Sequence, residues 1–327
     1  MALVEPHVEK SGTAVMDRGN LHRPSALRVK NVLFATDFSP ISEAAMPYAT
    51  AICRRFGSTL HVVHVLSEAG LLMMTGGVDY VSMGTIYEDA YNEAKDKIEQ
   101  CAECFEGFPH KTHVRHGQVW KNLASIIDEN EIDLIVVGTH GRGGLGKLLL
   151  GSVAEDILRH AECPVLTVGP KVSGRAKLPA YQKHARDLAP VELELNEVLV
   201  ATNFASSAER IASQAVALAE EFRSRLILMH VLENYSQLGS QPGPMEESLL
   251  KLKALVPAGA SLQYAPEPLL EFGPAPQAIL KVAAKREADI IILGARSSAD
   301  VGSTHLPWSS AHHVIANAPC PVLTIRE

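Results

Sequence analysis

Asp133-Leu-Ile-Val-Val-Gly138-Thr-His-Gly-Arg-Gly-Gly-Leu-Gly-Lys-Leu-Leu-Leu-Gly-Ser152 decides the fold class of this chain. Asp133 to Gly138 is a continuous apolar run of the kind a buried parallel strand requires. A glycine-rich loop follows, and Ser152 with Glu155 three residues later reads as a capping box that opens a helix. Strand, glycine loop and helix in that order suit an anion. Glycines let backbone N–H groups turn inward, and the helix start adds unpaired N–H groups and partial positive charge. The loop is not a Walker A loop, because Leu148 stands where the Mg²⁺-binding hydroxyl belongs. Nor does it carry the glycine triplet and later acidic residue of dinucleotide enzymes. The plainer alternative is a flexible surface loop.

Working outward, the same signals occur twice. Val32-Leu-Phe-Ala-Thr-Asp-Phe38 returns as Val198-Leu-Val-Ala-Thr-Asn-Phe204, and His64-Val-Leu66 returns at the same offset as His230-Val-Leu232. Between these landmarks Ala45, Ala49, Ile52, Cys53 and Phe56 match Ile211, Ala215, Leu218, Ala219 and Phe222, the stripe of an amphipathic helix. Asp133–Gly138 matches Asp289–Gly294, and Cys163–Val168 matches Cys320–Ile325. Each half alternates strands with helices, which predicts an α/β chain of two tandem doubly wound parallel-sheet domains, each a five-stranded sheet flanked by helices. The expected boundaries are a loosely attached arm over residues 1–27, a first domain over 28–170, a linker over 171–192 and a second domain over 193–327. Gly70 to Gly84 reads as a mobile loop over the site, and Ala90 to Phe105 as a helix. The last strands, Pro164 to Val168 and Pro321 to Ile325, are placed to pair across an internal pseudo-two-fold, making the chain an intramolecular pseudo-dimer. Further homodimerisation is left open.

Composition narrows the function classes. The 327 residues are 46% hydrophobic, 20% charged and 5% aromatic, with a formal net charge of −7. No basic stripe with interleaved aromatics is present, which argues against nucleic acid as a partner. No apolar run reaches the length of a membrane span, and the first residues lack a signal peptide's apolar core, so the expectation is a cytoplasmic protein without a membrane partner. The five cysteines are scattered rather than paired into a framework. Cys101 and Cys104 with His110, His113 and His116 have metal-like spacing. The cysteines fall in a helical pattern, however, and strand alternation sends successive histidines to opposite faces, so no metal is expected.

Ligands of open parallel sheets sit beyond the carboxyl ends of the strands. Asp37, Val65 and Gly138 all stand at such ends. Asp37 there can serve an adenine amine or a ribose hydroxyl, or simply precede the helix that Ser39-Pro40 begins, and the residues alone leave both readings open.

Ala35-Thr-Asp-Phe-Ser39, His64-Val65 and the spacing Gly138-x2-Gly141-x9-Gly151-Ser152 together resemble the universal stress protein family, and the last pattern resembles the signature of its ATP-binding branch. The resemblance covers both halves. It implies an adenine-nucleotide-binding α/β fold, commonly dimerised through the last strand. Carried over by position, Ala35, Thr36, Asp37 and Val65 surround adenine and ribose. Val137, Gly138, His140, Gly141 and Arg142 line the ribose and phosphate path, and Gly151, Ser152 and Val153 hold phosphate. Lys147 adds charge or is a solvated lysine. The implied cofactor is ATP, with Mg as an option, and the implied role is a stress-response regulatory protein with no assigned catalytic residue. A slow ATPase or autophosphorylating protein, and a non-catalytic interaction protein, are the alternatives. The second half departs from the pattern: Asn203 replaces Asp37, Ser297 replaces Gly141, and Trp308-Ser309 replaces Gly151-Ser152. Its site reads as degenerate.

Overall fold

The structure, a computed structural model, describes residues 28–67, 80–102, 105, 107–139, 150–172, 193–233, 243–295 and 310–326. The expected arm, most of the linker, residues 70–79 of the expected mobile loop and the glycine loop over 140–149 lie outside the described residues.

The first half contributes β1 (Asn31–Ala35), α1 (Pro40–Phe56), β2 (Thr59–Ser67), α2 (Tyr80–Ala102), β3 (His110–Gly117), α3 (Val119–Glu129), β4 (Leu134–Gly138), α4 (Ser152–His160) and β5 (Val165–Val168). The second contributes β6 (Glu197–Ala201), α5 (Ala208–Phe222), β7 (Arg225–Leu232), α6 (Gly243–Ala254), β8 (Glu267–Phe272), α7 (Ala275–Lys285), β9 (Ile290–Ala295), α8 (Ser310–Asn317) and β10 (Val322–Arg326). All ten strands join one sheet in the order β3-β2-β1-β4-β5-β10-β9-β6-β7-β8. Within each half every pairing is parallel, and the strand order reverses after the third strand, the fourth returning to the other side of the first.

Strand alternation sends successive side chains to two helical layers. In β1, Val32 and Phe34 join α1, while Leu33 and Ala35 join α3 and α4 around Leu123, Ile126 and Ile157. The first of these cores is continuous between halves, since Ile211 and Ala215 of α5 belong to it. Local chemistry fixes α1 at both ends. Ser39 caps it by accepting from the Ser42 N–H at 3.2 Å, Pro40 supplies a preset φ, and Gly57 ends it in the left-handed region at φ 67°. The equivalent residue in the second half, Arg223, holds the same left-handed position at φ 55° despite its side chain.

β5 and β10 meet antiparallel. Leu166 lies opposite Leu323, its own counterpart. The flanking bonds are reciprocal: Thr167 Oγ1 donates to the Val322 carbonyl at 3.1 Å, and Thr324 Oγ1 donates to the Val165 carbonyl at 3.2 Å. The same two-fold relation holds where α1 meets α5. Phe56 and Phe222 pack edge to face with ring centroids 6.1 Å apart. Beside them Arg55 Nε donates to Glu221 Oε1 at 3.0 Å across a separation of 166 residues.

Two local expectations are corrected. Tyr80 to Gly84 belong to α2 rather than to a loop, so the helix starts at Tyr80 instead of Ala90 and ends at Ala102 instead of Phe105. The helix after the glycine loop is not closed by a capping box. Gly151 is its N-cap, with extended geometry at φ −64°, ψ 148° and no side chain to accept a bond, so Ser152 is the first helical residue. Glu155 instead pairs with Arg159, whose Nη2 lies 2.8 Å from its Oε1.

Candidate functional site

β1 runs into the site through buried Ala35, which is paired in register with Val63 of β2 and Val137 of β4. One residue later the Thr36 N–H still donates to the Val63 carbonyl at 3.0 Å, and then the chain turns. Several bonds hold that turn. His64 Nδ1 lies 2.8 Å from the Thr36 carbonyl; because a carbonyl only accepts, Nδ1 carries the proton. Thr36 Oγ1 accepts from the Phe38 N–H at 3.0 Å, and Asp37 Oδ1 accepts from the Ser39 N–H at 3.0 Å. Ser42 Oγ donates to the Ser39 carbonyl at 2.9 Å, so the Thr36 hydroxyl is the donor in its 3.0 Å contact with Ser42. Phe38 adopts φ 58°, a left-handed conformation unusual for a bulky residue. Its ring rests on that of His64, with centroids 4.5 Å apart. The turn thereby presents the Asp37 carboxylate, half-buried, at the carboxyl end of the central strand.

The neighbouring strand supplies the second wall. Gly138 is the last residue of β4 and is buried, and the Thr139 N–H donates to the Val168 carbonyl at 3.0 Å. The Gly151 N–H donates to the Thr139 carbonyl at 2.7 Å, so the two sides of the glycine loop are tied together at its neck. The first backbone bond of α4 runs from the Glu155 N–H to the Gly151 carbonyl at 2.9 Å. The N–H groups of Ser152, Val153 and Ala154 therefore have no partner within the helix, and Ser152 is exposed. The start of α4 is an anion-receptive surface next to the end of β4.

Of the residues singled out from sequence, Ala35, Val65, Val137 and Val153 come together in one apolar cluster. Thr36 and Asp37 lie at the end of β1, Gly138 at the end of β4, and Gly151 and Ser152 at the start of α4. His140, Gly141, Arg142 and Lys147 lie outside the described residues. His64 is a member of the site that the sequence reading left without a role. The signal for it was its recurrence as His230, since a side chain kept with its strand end in both copies is tied to the backbone there. Among the described residues no three of His, Cys, Asp or Glu converge as a metal site requires, and no helix is long and apolar enough to cross a membrane.

The second half repeats the bonds among the threonine, phenylalanine and histidine of the turn, without those of Ser39 and Ser42, whose places Ala205 and Ala208 take. His230 Nδ1 meets the Thr202 carbonyl at 2.8 Å, Thr202 Oγ1 accepts from the Phe204 N–H at 3.0 Å, and Phe204 sits at φ 59° with its ring 4.3 Å from His230. Asn203 Oδ1 accepts from the Ala205 N–H at 3.1 Å, as Asp37 does from Ser39, but presents an amide instead of a carboxylate. Residues 296–309, which include Ser297 and Trp308, lie outside the described residues.

Comparison with known proteins gives a consistent result. The family model described as the universal stress protein family matches residues 28–169 and again 194–326. A universal stress protein of Methanocaldococcus jannaschii is 29% identical over 139 residues, 42% of this chain and 81% of that protein. Universal stress protein A homolog 1 of Coxiella burnetii is 33% identical over 143 residues, covering 43% of this chain and 97% of its own. Over both halves at once, a solved universal stress protein from Archaeoglobus fulgidus has a TM-score of 0.66 at 20% identity, covering 92% of this chain and 99% of that one. That likeness concerns the fold.

Proposed function

The chain belongs to the universal stress protein family, and from that premise we propose that its first half, residues 28–170, binds one molecule of ATP in a stress-response regulatory role, while the second half holds none. One observation carries this reading. At a single sheet end, an apolar wall, a positioned carboxylate and the N–H groups of a helix start, which have no partner within the helix, stand side by side.

The chemistry of each part fits a part of the nucleotide. Ala35, Val65 and Val137 offer an apolar surface for adenine, and Thr36 and Asp37 offer acceptors for its amine or for ribose hydroxyls. Gly138 stands at the path to the phosphates, and the family resemblance assigns His140, Gly141 and Arg142 to the same path. The N–H groups of Ser152 and Val153, with the Ser152 hydroxyl and the Gly151 neck, receive the phosphates, with Mg²⁺ as their counter-ion. Because Ser152 is the first helical residue and not the cap, its hydroxyl is not committed to the helix. In the second half the same turn offers Asn203, which can donate as well as accept and brings no charge.

Calorimetric titration of the full chain with MgATP tests the reading. The expected stoichiometry is close to one nucleotide per chain. A silent titration, or two equivalent sites, would overturn it.

A further inference from the structure

A cavity of about 370 Å³ lies between α1 and α5 on the pseudo-two-fold, lined by residues of both halves and by none of the strand-end residues described above. Its volume falls within the roughly 300–1,000 Å³ of small-molecule sites. Leu166 and Leu323 line it from the β5–β10 seam, and Ile52, Phe56, Leu218 and Phe222 from the two helices. Each of these residues is matched by its counterpart from the other half, so the apolar lining is built by repetition.

Among the pairs whose two copies both line the cavity, the chemistry changes at one. Tyr48 of α1 and its counterpart Gln214 of α5 both line the cavity. Tyr48 is only 5% exposed, and its hydroxyl makes no hydrogen bond among the described residues yet keeps accessible surface where the side chain lines the cavity. A phenol placed this way can donate into the cavity without breaking a bond inside the protein. Burial, with Cys320 and Asp289 nearby, pushes the Tyr48 pKa up to about 12, so the group is a neutral donor. Gln214 is partly buried and likewise makes no hydrogen bond among the described residues.

Charge limits what can enter. Asp133 and Asp289 line the cavity, each engaged by backbone. Asp133 Oδ2 accepts from the Lys30 and Asn31 N–H groups at 2.7 and 2.9 Å, and Asp289 Oδ2 from Asn196 and Glu197 at the same distances. The cation among the lining residues, Arg28, is exposed. Two carboxylates against one solvated guanidinium disfavour an anion.

We propose that this inter-half cavity binds an uncharged, apolar small molecule bearing a carbonyl-type acceptor, which takes the Tyr48 hydroxyl, with the Gln214 amide serving a second polar group. The ligand would bridge the two halves at their axis, at a place separate from the nucleotide.

Prodan, a neutral naphthalene ketone whose emission responds to polarity and to hydrogen bonds at its carbonyl, is the probe. Titrated into the full chain, it should show one saturable, blue-shifted site that saturating ATP does not displace. Tyr48→Phe keeps the ring and its packing, and should weaken binding roughly three- to tenfold with a change in the carbonyl-sensitive emission. Ala217→Trp fills the cavity from α5 and should remove binding with the circular dichroism unchanged; should that variant fail to fold, Tyr48→Phe alone decides. The anionic anilinonaphthalene sulfonate should bind at least tenfold more weakly than Prodan. Absence of saturable Prodan binding, displacement by ATP, equal affinity of the sulfonate, or unchanged affinity in Tyr48→Phe would each overturn the proposal.

Discussion

The two strand-end turns of this chain are held by the same core bonds and differ in the group presented at Asp37 and Asn203, and in Ser39 and Ser42, which are Ala205 and Ala208 in the second half. The bonds joining Thr36, Phe38 and His64 recur among Thr202, Phe204 and His230, down to the left-handed phenylalanine. At the position where a carboxylate and an amide are interchangeable as turn acceptors, one half carries Asp37 and the other Asn203. The turn bond uses only an oxygen that both side chains have, so at this position the two halves differ in charge.

The largest effect expected from imposing the second half's features on the first is that of Gly151→Trp. Position 151 has φ −64°, which any residue adopts, so the variant should fold. The indole would stand at the neck of the loop, and calorimetry should show ATP affinity falling by at least about a hundredfold, some 2.7 kcal/mol. Retained binding would mean that the neck is not the phosphate entrance.

A difference of about 3 kcal/mol is expected on acidification. His61 is buried and stacks on His113, Nδ1 to Nε2 at 3.2 Å, whereas the corresponding strand register of the second half places Ile227 and Leu269 there. Burial, then His113 and Lys111, lower the His61 pKa from 6.5 to about 4. Above pH 6.5 the group is neutral folded or unfolded and costs nothing. Between 6.5 and about 4 only the unfolded chain takes up the proton, so stability falls through that window and levels below it. Chemical denaturation from pH 7 to pH 4 should show the loss, and His61→Leu should reduce it. An equal loss in that variant would place the acid sensitivity elsewhere.

Asp37→Asn should cost ATP about tenfold in affinity, near 1.4 kcal/mol, with the melting temperature unmoved because the amide oxygen keeps the bond to the Ser39 N–H. Unchanged affinity would remove the carboxylate from the site. The smallest effect concerns the axis. Arg55 and Glu221 are exposed, so Arg55→Glu should destabilise the packing of the halves by only about 0.5–1 kcal/mol, and Glu221→Arg added to it should restore most of that. Opposite charges at equivalent positions suit one half meeting the other. Two copies of the first half meeting in the same way would oppose arginine to arginine.

The fold was legible because the chain states it twice. An apolar run such as Asp133–Gly138 is ambiguous alone, but its recurrence with the same neighbours is not. The turn at Asp37 was legible as an acceptor at a strand end, though its dependence on His64 was not, since that bond joins residues brought side by side only by strand pairing. Capping was misread because Ser-x-x-Glu satisfies the pattern one residue too late; the preceding glycine accepts the extended cap geometry, and Glu155 is drawn to Arg159. α2 was read short because Gly84 and the methionines upstream mimic a loop. The Tyr48 cavity could not be read at all, because it exists only where two helices far apart in sequence meet across an axis.

The seam between β5 and β10 also orders events in time. β10 follows every other strand in the chain, yet it occupies the middle of the sheet, and Val322 reaches its partner Thr167 only after 155 residues. At a synthesis rate of roughly 5–20 residues per second, the first half emerges and waits on the order of 8–30 s with the hydrogen-bonding edge of β5 uncovered. During that interval a nascent chain on a neighbouring ribosome offers the same edge. The step that completes the sheet is thus also the one most exposed to pairing with the wrong molecule, and it falls last.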